Sequence, residues 1–377
     1  MSAIRSVTPI SVRYPEPNDA GAIRHLTLCR IEADDGTVGW GEAVTSWPDA
    51  CRATEAMIDG IAAELVIGRD PLDNVDIWRS CGRRAWWYGN RGGISSFALS
   101  AIDIALWDLK GKLLGVPVTQ LLGGAHHERL PAIASTHPNA ASLEVEADRH
   151  AHYMTGLGFK GCKFGLGKRG DARLGSDIRR DVEFMRLLRE RVGPEPMLMW
   201  DRGVNTLTWD VAFAIRLTAA LEEHGLTWME EPFEPADLDS FRRLKSRCST
   251  LIGSGEREWN VEGYRSFIAA GVADVIGFDP GRAEGITGGR RVIELVEEGG
   301  AWFNAHAWSS AIVTAASLAL SLTTPRTLVF ELKAEESPMQ HELVESPVAQ
   351  SGGWVHPLTG AGLGIEVRED VVEKYRF

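Results

Sequence analysis

The sequence predicts an α/β chain built as a parallel (β/α) barrel with a smaller α+β cap, and three observations carry that prediction. Short apolar segments end repeatedly in an acidic residue or a histidine: Leu198–Asp201, Leu226–Glu230, Leu251–Glu256, Val275–Asp279, Ala301–His306 and Leu328–Glu331. Successive polar ends fall roughly 25 residues apart, close to the ~30 expected when about 250 residues make eight strand–helix units. Helical stretches separate the segments, as they do when buried parallel strands alternate with covering helices.

Taken in order, residues 1–40 alternate apolar and polar side chains (Ile4, Val7, Ile10, Val12, then Leu26, Leu28, Arg30, Glu32). That pattern predicts an antiparallel meander, with Asp34-Asp35-Gly36 as the hairpin turn before Val38–Glu42. Glu16–Ala22 reads as a turn-rich loop. Asp49 reads as the N-cap of a helix running to about Leu65. From Ser95 to Leu114, Phe97, Ala101, Ile104, Ala105, Leu109 and Leu113 follow helical spacing, and Gly115-Val116-Pro117 ends the helix. Asp103, Asp108 and Lys110 on its polar side read as a structural network. Barrel strand one is expected at Leu130–Ser135 and strand two at Phe159–Phe164, with helices over 143–156 and 176–191. Beyond Glu331 the rhythm fails, and Pro338, Pro347, Gly352-Gly353 and Thr359–Gly364 predict a tail folded back on the N-terminal region. The expected division is a cap of residues 1–125, completed by 335–377, and a barrel of 126–334.

Composition narrows the partners. A net charge of −12 over 377 residues argues against nucleic acid or an anionic membrane, and no apolar run approaches a membrane span. The same charge suits an anionic small molecule only if a cation neutralises the site. The five cysteines are scattered without paired spacing, as reduced thiols are, and the N-terminus lacks a signal-peptide pattern. Both point to the cytoplasm.

The strand ends carry the chemistry. Asp201, Glu230 and Glu256 are hard oxygen ligands at successive strand ends, where a barrel gathers its functional residues, and they suit Mg2+. Any one alone reads as a solvated loop acid. Asp279 and His306 end neighbouring strands, so the carboxylate can orient the imidazole and raise its basicity. Glu231, beside Glu230, points the other way and reads as a support. Arg257 and Arg282 are candidates for binding a distal carboxylate or hydroxyls, or are ordinary surface arginines. Trp308 walls the pocket or simply packs. The loop Glu16–Ala22 and the segment around Trp47 are candidates for capping the barrel mouth and choosing the substrate.

Together, Gly39-Trp40-Gly41-Glu42 (read as a turn), Ala101–Asp108, Leu121-Leu122-Gly123-Gly124, Glu230-Glu231-Pro232, Gly255-Glu256 and Ala305-His306 resemble the enolase superfamily, mandelate racemase subgroup, over nearly the whole chain. The resemblance implies a modified TIM barrel, a homo-oligomer, and a magnesium-dependent enzyme that removes the proton alpha to a carboxylate; general accounts of this superfamily give it a Lys or His base beside magnesium. It also implies that Glu331 hydrogen-bonds the substrate carboxylate as a protonated acid. Two positions depart from the pattern. Lysine-using members carry Lys-x-Lys on strand two, where this chain has Lys163-Phe164-Gly165, and Asp201-Arg202-Gly203 replaces Asp-x-Asn. By strand alternation Lys163 points inward as an electrostatic partner of a carboxylate, or snorkels to the rim.

Without the second lysine only the His306–Asp279 face carries a base. A two-base racemase or epimerase, and a lysine-driven cycloisomerase, are then disfavoured. Beta-elimination remains: dehydration of an aldonic or aldaric acid to its 2-keto-3-deoxy product, with His306 taking the C2 proton and returning it to the leaving hydroxyl. The rivals are a hydrolase on the same barrel, for which Thr136-His137-Pro138 lacks the His-x-His signature, and a non-catalytic metal-binding barrel.

Overall fold

The computed structural model describes residues 2–89, 91–166, 173–203 and 209–377. Strands β1 (Ile4–Glu16), β2 (Ala22–Ala33) and β3 (Val38–Ala43) form an antiparallel sheet in that order. Gly39-Trp40-Gly41-Glu42 lies within β3 rather than in a turn. Its glycines are there for close approach: a Cβ at Gly39 would stand 2.3 Å from the Ala105 carbonyl oxygen, and one at Gly41 1.9 Å from that of Ala101. Only a strand without side chains at these two points can lie on the backbone of the long helix α3 (Ile94–Leu114).

Helix α1 (Pro48–Leu65) starts two residues earlier than expected: Trp47 occupies the cap and Pro48 the first helical position, where its fixed φ costs nothing. Asp49 therefore sits in the first turn, beside the positive end of the helix dipole, and is not the cap. Helices α2 (Asn74–Arg84) and α4 (Val118–Leu121) flank α3. The acids of α3 behave as a network. Asp103 accepts from the Thr287 amide (2.8 Å) and hydroxyl (2.6 Å), and Asp108 from the amides of Trp40 (2.9 Å) and Leu363 (2.8 Å).

The remaining elements alternate: β4 (Leu130–Thr136), α5 (Leu143–Thr155), β5 (Gly161–Gly165), α6 (Ile178–Val192), β6 (Met197–Asp201), α7 (Val211–Glu222), β7 (Leu226–Glu230), α8 (Leu238–Lys245), β8 (Leu251–Ser254), α9 (Val261–Ala269), β9 (Val275–Phe278), α10 (Gly285–Gly299), β10 (Trp302–Ala305), α11 (Ala311–Leu322) and β11 (Phe330–Lys333). The eight strands pair in parallel in the order β10-β9-β8-β7-β6-β5-β4-β11. The circle closes where the Phe303 amide donates to the Arg326 carbonyl at 2.8 Å, just before β11. Inside, Ile133, Met199, Trp228, Val275 and Val329 form a separate buried cluster, a floor of side chains filling the lower barrel. The alternate residues face outward into the larger core shared with the helices. No helix among the described residues is long and apolar enough to cross a membrane.

The tail does more than fold back on the N-terminal region. Its strand β12 (Trp354–Val355) adds antiparallel to β4, Gly362 bridges to Pro117, and beyond α12 (Glu369–Tyr375) Arg376 bridges to Val12. A second tie is ionic. Lys333, on β11, donates to Glu16 at 2.6 Å, with both side chains essentially fully buried, and Ser337 donates to the same carboxylate oxygen at 2.9 Å. Lys333→Met leaves that carboxylate buried without its cation and is expected to cost about 3–5 kcal/mol of stability in urea unfolding. The double variant with Glu16→Gln removes both charges and should lose markedly less.

Candidate active site

Asp201 and Glu230 close β6 and β7, and Glu256 follows β8 by two residues. One carboxylate oxygen from each lies within 4.8 Å of the others. Burial, opposed by Lys163 but reinforced by the Glu256 charge, pushes the Asp201 carboxyl up to about 7, and burial also raises Glu230 well above the ordinary range. Crowded oxygen donors whose ionised forms are this costly fit a divalent cation of the hard, oxygen-seeking kind. Two further groups set them. The Trp228 indole, in the barrel floor, donates to Glu230 at 2.8 Å, and the Gly203 amide to Asp201 at 2.7 Å. The backbone amide thus reaches Asp201 at the position where the family pattern has Asn.

Lys163 does not snorkel to the rim. Only 3% exposed, its ammonium lies 2.7 Å from Glu230, 2.9 Å from Glu331 and 3.7 Å from Asp201. Burial would depress it, but these carboxylates hold it charged, well above its usual value. Burial would raise the Glu331 carboxyl, yet Lys163 and then His306 hold it below the usual carboxylate range. The Asn304 amide donates to the Glu331 Oε1 at 2.7 Å, while the buried Oε2 has no partner among the described residues.

Opposite the trio, His306 Nδ1 and Asp279 Oδ2 are 2.6 Å apart, which makes Nδ1 the protonated nitrogen and leaves Nε2 facing Glu256 at 3.8 Å. Burial would lower the imidazole, but Glu256 and then the hydrogen-bonded Asp279 raise it to about 9. Asp279 is itself fixed by the Gly281 amide at 2.8 Å.

Lys163, Asp201, Glu256, Asp279 and His306 open onto a cavity of about 430 Å3 that also reaches Arg24, Trp47, Arg257, Arg282 and Trp308. Trp47 stands 69% exposed at its edge. Trp308 forms wall, its ring under the Arg24 guanidinium at 4.7 Å. The two barrel arginines differ. Arg257 donates to Glu231 (2.5 Å), Glu234 (2.8 Å) and the Phe233 carbonyl (2.5 Å), so its guanidinium is engaged by the protein. Arg282 lies over the Trp259 ring at 3.6 Å, and its buried Nε has no partner among the described residues. Glu231 is the support expected: fully buried, with φ 48°, it accepts from Ser254 (2.9 Å) and the Gly255 amide (2.8 Å) as well as Arg257. The loop Glu16–Ala22 does not line the cavity. Its Glu16 is drawn to Lys333, and its influence passes through Asp19, which pairs with Arg24 at 2.7 Å.

Two titratable cavity residues, Arg24 and His137, are not among the site residues that the sequence marks. Arg24 lies on β2, over a hundred residues before the trio, and no local pattern links them. His137 carried a usable signal: the alternation that turns Lys163 inward continues Ile133, Ser135, His137 on strand one. Its ring sits where a side chain at Gly165 would begin, since a Cβ there would fall 2.4 Å from His137 Nδ1.

Comparisons with known proteins agree with this architecture. Residues 146–371 match the model of the enolase C-terminal domain-like family, and residues 20–123 that of the mandelate racemase/muconate lactonizing enzyme N-terminal domain. The chain is 29% identical to a D-galactarolactone cycloisomerase of Agrobacterium fabrum, covering 94% of this chain and 92% of that protein. It is 32% identical to an L-rhamnonate dehydratase of Saccharopolyspora erythraea, over 79% of this chain and 73% of the other. The crystal structure of a 3,6-anhydro-D-galactonate cycloisomerase from Zobellia galactanivorans superposes with a TM-score of 0.88 at 26% identity, covering 100% of this chain and 99% of that one. With a carboxylate trio and a His–Asp pair meeting at the mouth of a capped eight-stranded barrel, the chain belongs to the mandelate racemase subgroup of the enolase superfamily of enzymes.

Proposed function

We propose that this enzyme is a magnesium-dependent dehydratase that removes the proton alpha to the carboxylate of an aldonic or aldaric acid and expels the 3-hydroxyl, giving a 2-keto-3-deoxy acid. The observation that supports it above others is the His306–Asp279 pair facing Asp201, Glu230 and Glu256 across one cavity. An alpha proton beside a carboxylate is a very weak acid, because its removal puts a second negative charge on the same group. Mg2+ held by the trio would supply the positive charge against which that second charge develops.

The chain's own side chains do the rest. His306 Nε2 takes the C2 proton, and Asp279, accepting from Nδ1, stabilises the imidazolium that results. Lys163 meets negative charge arriving near Glu230 and Glu331. Arg282, whose Nη2 donates to the Arg257 carbonyl at 3.2 Å, keeps an Nε–H without a partner among the described residues to offer the hydroxyls or distal end of the substrate. The names of relatives include both dehydratases and cycloisomerases. Gly165 in place of a strand-two lysine favours elimination over the lysine-driven alternative.

Two measurements test the reading. A library of mono- and diacid sugars is assayed for 2-keto product with Mg2+ and after chelation. Turnover of at least one member should vanish with EDTA and return with Mg2+, and His306→Asn should lower it by about 10²–10⁴-fold, the usual worth of a positioned base. Products that retain the elements of water would point to cycloisomerisation and sink the dehydratase assignment. Separately, Trp228→Phe keeps an aromatic ring in the floor but removes the N–H that fixes Glu230, and should weaken divalent-cation binding by about 10–100-fold, read by Mn2+ electron paramagnetic resonance. Unchanged affinity would show that the indole does not set the cation site; unchanged affinity in Glu230→Gln would exclude Glu230 from it.

A further inference from the structure

We infer that Glu42, a residue of the cap outside the lining of the cavity, is a positioning residue for the His306–Asp279 pair: it fixes the loop that carries His306 and, with Val44, the turn that carries Asp279. The inference rests on the reading of His306 as the base and adds no step to the reaction.

Glu42 stands one residue before the end of β3 and is fully buried. A carboxylate taken out of water needs donors, and they come from one short stretch of the barrel. Ser309 and Ser310 donate their hydroxyls to it, and the amides of Ser310 (3.3 Å) and Val313 (3.2 Å) donate one to each oxygen. This stretch is the start of α11, whose first-turn amides have no partner inside the helix. Ser310 caps it through the Ile312 amide at 3.1 Å, but α11 has no acidic residue in its own first turn. The cap supplies that acid from more than two hundred and fifty residues away along the chain, at the helix end where negative charge is favoured.

The helix start so held governs His306. Only residues 306–310 join β10 to α11. The His306 amide donates to the Phe278 carbonyl at 2.7 Å, and Ser317, in the second turn of α11, donates its hydroxyl to the His306 carbonyl at 2.6 Å. Between them, Lys333 donates to the Ser309 carbonyl at 2.7 Å. A displacement of α11 therefore pulls on the backbone of His306.

Asp279 is held from the same stretch of the cap. The Val44 amide donates to the Gly281 carbonyl at 3.1 Å, and the Gly281 amide donates to Asp279 at 2.8 Å. Gly281 lies where Val44 and Val313 converge: a Cβ there would fall 2.7 Å from Cγ2 of Val44 and 2.8 Å from Cγ2 of Val313. Residues 42–44, the first turn of α11 and the turn after Asp279 are thus one packed unit. The 2.6 Å contact between His306 Nδ1 and Asp279 Oδ2 is the product of that unit. Glu42 is its polar centre, acting on the pair only through the backbone.

Glu42→Gln keeps the volume but turns one acceptor oxygen into an NH2 that faces donors. With Mg2+ and a sugar acid that the wild-type enzyme dehydrates, kcat should fall by about 10–100-fold, the scale on which a misplacement of about 1 Å acts. KM and Mn2+ affinity should stay within a few-fold, because the trio stands on other strands. The second readout needs no substrate. The proton NMR signal of His306 Nδ1–H, assigned by its loss in His306→Asn, should lie far downfield in the wild type and move upfield or broaden in Glu42→Gln. Ser309→Ala, which removes one hydroxyl donor and leaves the carboxylate, should change kcat and the signal in the same direction by less, and it decides the matter if Glu42→Gln does not fold. Asp103→Asn loosens the cap at Thr287 instead and should lower stability with kcat and the signal unchanged. The inference is overturned by a wild type without the downfield signal, by a signal that the Glu42 and Ser309 variants leave in place, or by a kcat that both leave at the wild-type value. Equal losses of kcat in Asp103→Asn, or loss of Mn2+ binding in step with kcat, overturn it as well, since either marks a merely structural glutamate. If the wild type dehydrates no acid sugar, the dehydratase reading fails and the signal alone decides on Glu42.

Discussion

The constraint on which this site depends is the burial of four carboxylates around one ammonium. Asp201, Glu230 and Glu331 lie within 4 Å of Lys163, and Glu256 completes the group. The same ammonium has opposite outcomes for two of them. Burial would raise Glu331, but it is held below the usual carboxylate range, because His306 and the Asn304 amide add to what Lys163 provides. Glu230, hemmed in by Asp201, Glu331 and Glu256, stays raised in spite of its shorter contact with Lys163. One lysine is therefore enough for one side of the cluster only, and the trio side calls for further positive charge. That imbalance is the physical content of the proposed metal site.

Packing and electrostatics are joined at Trp228. Its ring belongs to the barrel floor with Met199 and Ile133, and its indole nitrogen holds Glu230. Gly253, on the adjacent strand, makes the room: a Cβ there would come within 3.2 Å of the indole. The floor is thus more than filler. It sets the height and direction of a carboxylate that the chemistry above it needs in one orientation. Glu231 does similar service on the outer side, where a left-handed backbone turns it back toward Gly255 and Arg257.

Much of this was legible before any coordinates. Strand ends can be read because a buried parallel strand is apolar until it reaches solvent at its C-terminal end. The first polar residue there marks both the boundary and the pocket. Trio, dyad and Lys163 all follow from that rule and from period-two alternation. His137 obeyed the same alternation, yet was weighed only against a hydrolase signature. Asp49 was misplaced by one local rule overriding another, a proline at the first helical position having displaced the cap. Arg24 and the engagement of Arg257 lay beyond any local pattern. The first depends on how the cap lies over the barrel, the second on a non-glycine residue adopting positive φ at Glu231.

How the cap could act on the proposed reaction follows from one chain of contacts. Lys333 at the end of the last barrel strand pairs with Glu16, which opens the short turn carrying Asp19, and Asp19 orients Arg24 over Trp308. The loop Glu16–Ala22 therefore touches no substrate space itself but fixes a guanidinium that does. Arg282, at the Trp259 side of the cavity, is placed by stacking and retains a desolvated N–H. A buried donor without an acceptor is costly, and a substrate oxygen that satisfied it would recover that cost as binding. With Arg257 bound to Glu231 and Glu234, the guanidiniums left to meet the distal end of the proposed acid-sugar substrate are Arg24 from the cap and Arg282 from the barrel. Substitutions of either guanidinium should therefore alter which acid is chosen more than how fast the C2 proton is lost.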